Sequence, residues 1–436
     1  MKKIVMVITL LLAAALVAPK FIGDMAHQMY QQGFDNYPPD TSFSFEHKSF
    51  KQSWFYSDAV TMIKFSAGIP EYDAMEWVLT SRIQHGPILF THDGIKLGFA
   101  YVDTASSFTG LPQQGQALVD EYLEKGAITI KTLIDFEQLS HDYFVINAIN
   151  IENDLNSATF GGLKVIGTSL LDYSLMKGEI ILPSSQIISP DMAVDIADAS
   201  GTYDLHNYNN EMLLGKTSLT MPSIQIVAKQ NVTLLENLSI TAETSEKSGK
   251  INVAESIALA KITAPVPITS FQYNIEINQL DPKALKLWAE LSQKLQPAST
   301  GKEKLRELLT ALLQEGLELN QQFQLHGMGG ILSIDWDTSY VGLADGAHVL
   351  DVQDKKILAQ AVNMHLLITV DKVVVLSSPF VTMIEPYMKQ GFVVEKDGKF
   401  IANIKLTGGA LTINDQPFPV ESLFPLFEQA PVTQEP

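Results

Sequence analysis

Apolar and polar residues alternate along most of this chain with a period of two. From Phe271 to Ile277 the apolar positions are Phe271, Tyr273, Ile275 and Ile277, with Gln272, Asn274 and Glu276 between them. Leu332, Ile334, Trp336 and Tyr340 share one parity, and Ser333, Asp335, Asp337 and Ser339 the other. Phe400, Ile404 and Leu406 lie opposite Asn403 and Lys405. Val232, Leu234, Leu238 and Ile240 repeat the pattern, as do Ile128, Ile130, Ile134 and Phe136. Such segments are strands with one dry and one wet face, and that asymmetry favours antiparallel pairing. Lys396, Asp397 and Gly398 between two of these runs predict a hairpin turn.

Helical spacing is rarer. Asp281 and Pro282 form a cap and first-turn pair before Leu285, Trp288, Leu291 and Leu295. Leu305, Leu308, Leu309, Leu312, Leu313 and Leu317 make an apolar stripe, and Gln296 to Gly301 joins the two helices. Leu111 to Lys125 and Ser378 to Gln390 are further helices. The expected class is α+β, mainly β: a long, curved, largely antiparallel sheet with packed helices, preceded by a single N-terminal transmembrane helix. No fixed repeat period is definable.

Lys2 and Lys3 precede an apolar run from Ile4 to Ala18 in which Thr9 is the one polar residue. This is an export signal. Cleavage after Ala15 would put Ala13 and Ala15 at the small positions. Retention as an anchor is favoured by length: Ile4 to Ile22 approaches the ~20 residues of a bilayer span once Lys20 snorkels. The basic end then stays cytoplasmic. Asp24 to Gln32 continues as a stalk, and Asn36 to Thr41, with Pro38 and Pro39, separates it from the body. The expected organisation is residues 1–35 as anchor and stalk and 36–436 as a periplasmic body, in two lobes at 36–280 and 281–436. The run from Leu366 to Leu376 is broken by Asp371 and Lys372, so it is no second span.

Composition narrows the partners. The 436 residues carry 30 Lys+Arg against 49 Asp+Glu, a net charge of -19, and the two arginines are Arg82 and Arg306. An acidic chain with so little Arg is a poor nucleic-acid ligand, since that affinity comes from neutralising phosphates. The absence of cysteine removes disulfides, thiolate nucleophiles and cysteine-ligated metals.

Candidate chemistry is sparse. His85 and His92 are the closest histidines, across the Pro87 bend, and match no metal spacing. Asp335 and Asp337 mimic the start of a calcium loop, but Tyr340 replaces its glycine; they fit the wet face of a strand. Asp191, Asp195 and Asp198 have helical spacing and read as a solvated acidic face. Gly327, Gly329 and Gly330 read as a bend. No nucleophile elbow or phosphate loop is present, and neither metal nor cofactor is expected.

Four stretches resemble the YdgA-like family of bacterial envelope proteins, a domain of unknown function. They are the lysine-led anchor; Phe50-Lys51-Gln52-Ser53-Trp54-Phe55-Tyr56-Ser57, with Ser53 where the family has glycine; His85-Gly86-Pro87; and Gly409-Ala410-Leu411-Thr412-Ile413-Asn414-Asp415-Gln416-Pro417, with Asp415 in place of glycine. The resemblance implies an inner-membrane anchor and a periplasmic body, and, by analogy with the wider AsmA-like group, lipid handling. It carries over no catalytic residue. Trp54, Phe55, Ser57, His85, Gly86, Pro87, Gly409, Leu411, Asn414 and Pro417 are the motif positions, expected to be structural. The expected function is a non-enzymatic envelope role with lipid or another apolar ligand as cargo. The rival is a scaffold that pairs with itself as a homodimer or binds other envelope proteins and holds no ligand.

Overall fold

The computed structural model describes residues 17–28, 43–65, 75–123, 126–152, 155–172, 174–209, 212–229, 231–264, 268–292, 302–313, 316–343, 349–352, 354–378 and 381–420. Most of the expected anchor, the proline break at 36–41 and the helical connector at 296–301 lie outside these residues. The fold is mainly β, with a large antiparallel sheet and few helices. No helix among the described residues is long and apolar enough to cross a membrane. The chain divides into two compact units, residues 1–219 and 220–436. The boundary at 280/281 drawn from the sequence falls inside the second unit.

In the first unit, helix α1 (17–28) precedes β1 (Phe43–Gln52), β2 (Tyr56–Phe65), β3 (Glu76–His85), the small hairpin β4 (Ile88–Thr91) and β5 (Gly94–Leu97), β6 (Ala100–Thr109) and α2 (Gln113–Tyr122). There follow β7 (Ile128–Ile134), β8 (Leu139–Ile146), β9 (Ile149–Glu152), β10 (Ser157–Phe160), β11 (Leu163–Leu170), β12 (Leu175–Leu182), β13 (Ser185–Ser189), β14 (Met192–Ile196) and β15 (Ala199–Tyr208). Strands pair in the order β1-β2-β3-β6-β7-β8-β11-β12-β15. The segments joining β8 to β11 and β12 to β15 build a second ladder, β9-β10-β13-β14.

Residues directly opposite one another share a face. Ala59, Ile83 and Ala100 form a buried cluster on one face, with Phe50, Val102 and Ile134 against it. Helix α1 covers this face. Its Ala26 joins the cluster, its His27 stacks on Phe50 at 4.4 Å, and its Pro19 and Ile22 are buried. On the other face Lys51, Asp58, Arg82, Asp103 and Lys131 succeed one another across five strands with alternating sign. Opposite charges across a ladder favour that register.

The β4–β5 hairpin folds over this wet face. The Gln84 side-chain amide donates to the Phe90 carbonyl at 2.9 Å and accepts from the Phe90 N–H at 2.7 Å. The His92 Nδ1 and Tyr101 Oη atoms lie 3.0 Å apart, and Leu89 is fully buried beneath.

The second unit takes the remainder of β16 (Met212–Ala228), then β17 (Asn231–Lys247), β18 (Lys250–Thr263), β19 (Ile268–Leu280), α3 (Pro282–Ser292), α4 (Lys302–Leu312), β20 (Glu318–Gly327) and β21 (Gly330–Tyr340). It ends with α5 (Lys355–Gln360), β22 (Val362–Asp371), α6 (Lys372–Leu376), α7 (Val381–Lys389), β23 (Val394–Lys396), β24 (Lys399–Thr407), β25 (Ala410–Ile413) and β26 (Gln416–Phe418). From β17 to β22 each strand pairs with the next, β24 continues the ladder, and β25 and β26 complete it.

Local chemistry accounts for the element ends. Asp397 and Gly398 both take positive φ (52° and 76°) in the β23–β24 hairpin, as a tight two-residue turn requires. Gly327-Met328-Gly329-Gly330 makes the same kind of turn, with φ of 51° and 80° at its centre. The Asp281 carboxylate accepts the Lys283 N–H at 2.9 Å and so starts α3. Two expectations are corrected. The leucine stripe leaves the helix early: α4 ends at Leu312, and Leu317 lies beyond the turn at Gly316. Asp191, Asp195 and Asp198 are not helical, because the β-branched Ile187, Ile188, Val194 and Ile196 around them pair as β13 and β14. Asp195 lies opposite Gln186, and the Asp198 carboxylate accepts the Ser184 N–H.

Candidate functional site

Six of the motif residues meet at one end of the first unit. Ser57 begins the dry face of β2, and His85 ends that of β3. Both are buried, and the Ser57 Oγ and His85 Nε2 atoms are 2.9 Å apart. His85 Nδ1 lies 3.3 Å from the Trp54 carbonyl, and the Pro19 carbonyl of α1 is a second acceptor on the imidazole. The His85 N–H donates to the Phe55 carbonyl, and the Gly86 N–H to that of Phe99. A cis peptide joins Gly86 to Pro87. Helix α1 closes the arrangement: a Cβ on Gly23 would stand 2.5 Å from His85 Cε1. Gln52 Nε2 reaches the Asp24 carboxylate at 2.8 Å.

This is a serine–histidine pair that sequence reasoning missed. The two residues stand 28 positions apart, and only the β2–β3 register brings them together. The signal available was that both sit inside motif segments. Ser57 has no exposed surface, and the imidazole's other nitrogen meets a carbonyl rather than a carboxylate. The arrangement therefore acts as a lock between α1 and the sheet.

The lock has a pH signature. Burial pushes the His85 imidazole below its ordinary value of 6.5, against the opposing pull of the Trp54 and Pro19 carbonyls. Below that ordinary value the unfolded chain holds the extra proton, so stability rises with pH there. The contribution is fully present above about pH 6.5 and is lost as the pH falls toward the depressed value. Thermal melts from pH 7.5 to 5 should show this loss for the natural chain and a shallower loss for His85→Gln. Parallel curves for the two proteins would contradict it.

The C-terminal motif residues gather in the second unit. Leu411 is buried with Ala359, Leu406 and Val420. Asn414 takes φ of 49°, accepts the Asn403 N–H at 2.9 Å through its side chain, and donates to the Gly391 carbonyl at 2.9 Å. Gly409 turns β24 into β25 at φ of 82°, and Pro417 lies opposite Thr412. These contacts close the last hairpins.

Two surfaces have the dimensions of a binding site. Under the β4–β5 tip, the wet face of the first unit hollows into a cleft of about 990 Å³. His92, Tyr101, Lys131, His141, Lys164 and Lys177 are among its walls. Lys177 pairs with Asp204 at 2.9 Å, His141 with Asp135 at 2.8 Å, and Lys164 Nζ lies 5.5 Å from the Tyr143 ring centre. Asp93, Asp142, Glu179 and Asp204 line it too, and an acyl chain would strip water from all these groups without replacing it, so the cleft suits a polar group. Among the described residues no three side chains are grouped to hold a metal.

The second surface is the apolar face of the second unit. Ile257, Tyr273, Phe323, Ile334 and Ile368 stand opposite one another in turn across β18 to β22. The neighbouring row runs through Leu259, Phe271, Leu325, Leu332, Val370 and Phe400. Leu259 and Phe400 are buried, as are Ile251, Leu280 and Ala284 where α3 begins. Phe271, Tyr273, Phe323, Leu325, Ile334 and Ile368 are only half-buried. On the same face the Trp336 Nε1 and Thr338 Oγ1 atoms are buried without a hydrogen-bond partner among the described residues.

A family model described as "Bacterial protein of unknown function (DUF945)" matches residues 1–330. That span takes in the apolar run from Ile4 to Ala18, the His85 lock, the cleft and strands β18 to β20 of the apolar face. No curated protein and no solved structure matches the chain. With three-quarters of its length matched, the chain belongs to the DUF945 family of bacterial proteins of unknown function.

Proposed function

We propose that this is a non-enzymatic cell-envelope protein of the YdgA-like kind, held in the bacterial inner membrane by one N-terminal helix with its body in the periplasm. Its apolar sheet face takes up a lipid or another apolar chain. The observation that carries the reading is the half-burial of the middle of that face. A closed core would bury these residues fully, and a solvent face would carry polar ones. Across β18 to β22 the face offers an acyl chain a continuous apolar path. The orphaned Trp336 and Thr338 groups cost desolvation energy that the carboxyl of a fatty acid would relieve. The resemblance to AsmA-like lipid handlers points the same way and is an analogy of fold.

The test is photolabelling of the full chain with a diazirine-bearing long-chain fatty acid, with adducts mapped by mass spectrometry. Adducts on β19 to β21 are expected, reduced at least about fivefold in a folded Phe323→Asp variant, since the acid puts an unpaired charge on the acyl path. Labelling confined to residues 1–28 would sink the cargo reading.

The scaffold reading has its own observation. Ile151, Ile187 and Met192 are exposed on one face of the β9-β10-β13-β14 ladder, an apolar surface suited to a second copy or another envelope protein. Unlabelled protein that sediments as a dimer would favour it.

A further inference from the structure

The first unit also presents exposed apolar residues at the strand ends around the His85 lock. Trp54 and Phe55 fill the β1–β2 turn, at 50% and 45% exposure. Phe90, Ile95 and Leu97 project from the β4–β5 hairpin at 63%, 67% and 64%. Phe136, at the β7–β8 turn, is 48% exposed and packs edge-on against Phe99. The register puts all three loops at one end of the ladder, beyond the pairs Gln52–Ser57, His85–Ala100 and Ile134–Ser140. Isolated exposed apolar side chains are ordinary on any surface; three neighbouring loops that all display them are not.

The hairpin shows how this display arises. Ile88 stands opposite Leu97 and Phe90 opposite Ile95, so all four share one face of the hairpin, while Leu89 fills the space beneath. The Gln84 clasp and the His92–Tyr101 contact hold that face outward. The hairpin is a short ribbon that buries Leu89 and leaves its other face apolar and uncovered by the described residues.

Helix α1 supplies the direction. Its Pro19 end lies at His85, and its Ala26 end lies over Ala59 and Ile83. Its start therefore sits at the same end of the ladder as the three loops. In the sequence the apolar run from Ile4 to Ala18 immediately precedes Pro19. Phe21, on the first turns of α1, is 68% exposed. Trp and Phe side chains favour the headgroup boundary of a bilayer, and their burial there does not depend on an excess of basic residues, which this chain of net charge -19 does not have. The exposed set on β9, β13 and β14 belongs to the opposite strand ends.

We infer that the Trp54 turn, the β4–β5 hairpin and the Phe136 turn rest in the interfacial zone of the phospholipid bilayer that holds the N-terminal helix. The surface is a second membrane contact that fixes the orientation of the first unit against the lipid. The inference rests on the tether reading above.

The experiment exploits the absence of cysteine. Full-length Leu97→Cys and Leu155→Cys variants are labelled with an environment-sensitive fluorophore and reconstituted in phosphatidylcholine–phosphatidylglycerol vesicles, with and without bromine on the acyl chains. Flotation reads the tether independently of the label. The expected result is flotation of both variants, with emission at position 97 blue-shifted, raised at least about twofold and quenched by the brominated lipid, and position 155 unaffected. Failure to float overturns the tether and the inference together. Flotation with an aqueous label at 97 overturns the inference alone. A blue shift at 97 without bromine quenching means that protein covers the hairpin, and quenching at both positions means that no one end faces lipid; either result also overturns it.

Discussion

Gly86→Val is expected to lower stability by about 3 kcal/mol or more, enough to unfold the strand ends around His85. A Cβ at position 86 would stand 1.8 Å from the Gly98 carbonyl oxygen and 2.9 Å from that of Phe99. Both obstacles are backbone, and neither segment can retreat. Phe99 donates to Ile134 at 2.8 Å, and His85 donates to Phe55 at 2.9 Å, so each is tied to a further strand. Gly94→Ala is the control. It replaces a glycine of the same hairpin with φ of 104° but nothing within 4 Å, so it bears only backbone strain, about 1–2 kcal/mol. Thermal unfolding of the three proteins decides the matter. A Gly86→Val protein that melts with the natural chain would show that this crossing opens to admit a side chain.

Ile251→Ala is expected to cost about 2–5 kcal/mol. Ile251 has no exposed surface and faces Leu280 across a register shift. There β19 carries Gln279 at φ of 64°, and the Gln279 N–H donates to the Asn252 side chain at 3.0 Å. This bonded irregularity stops the backbone from closing over the lost atoms, so a cavity remains. Ile334→Ala, on the half-buried stretch of the apolar face, should cost only about 1 kcal/mol, because less surface leaves water there on folding. The pair discriminates. Equal losses in chemical denaturation would mean that the apolar face is a sealed core, and the cargo reading would lose its support.

Much of the strand pattern was legible because each strand has one wet and one dry side. Phe271 to Ile277 lies within β19, Leu332 to Tyr340 within β21, and Phe400 to Leu406 within β24. Turn chemistry was equally local: Asp397-Gly398 and the Asp281 cap need nothing but their neighbours. Where local and pairing preferences disagreed, pairing won, as with Asp191 between β13 and β14, Asp195 within β14 and Asp198 after it. The candidate sites were much less readable. Ser57 and His85 meet through a ladder register, and the Gln84 clasp on Phe90 depends on a hairpin folding back over its own parent strands. Alternation predicts that a strand has a dry side. It does not reveal what, if anything, lies against that side, and in the second unit this question separates a core from a groove.

The pairing order has a consequence for how the chain acquires its structure. From β17 to β22 every ladder joins a strand to the one that follows it in sequence, and from β1 to β8 the sole detour is the β4–β5 hairpin. Tight turns close several of these ladders, and where helices intervene, as α3 and α4 do between β19 and β20, loop-closure entropy rises only slowly with the added length. Each of these runs can zip strand by strand in the order the residues leave a ribosome or a translocation pore. The newest strand is an open edge at every stage of that growth, and the next segment of the same chain is the nearest thing that can cover it.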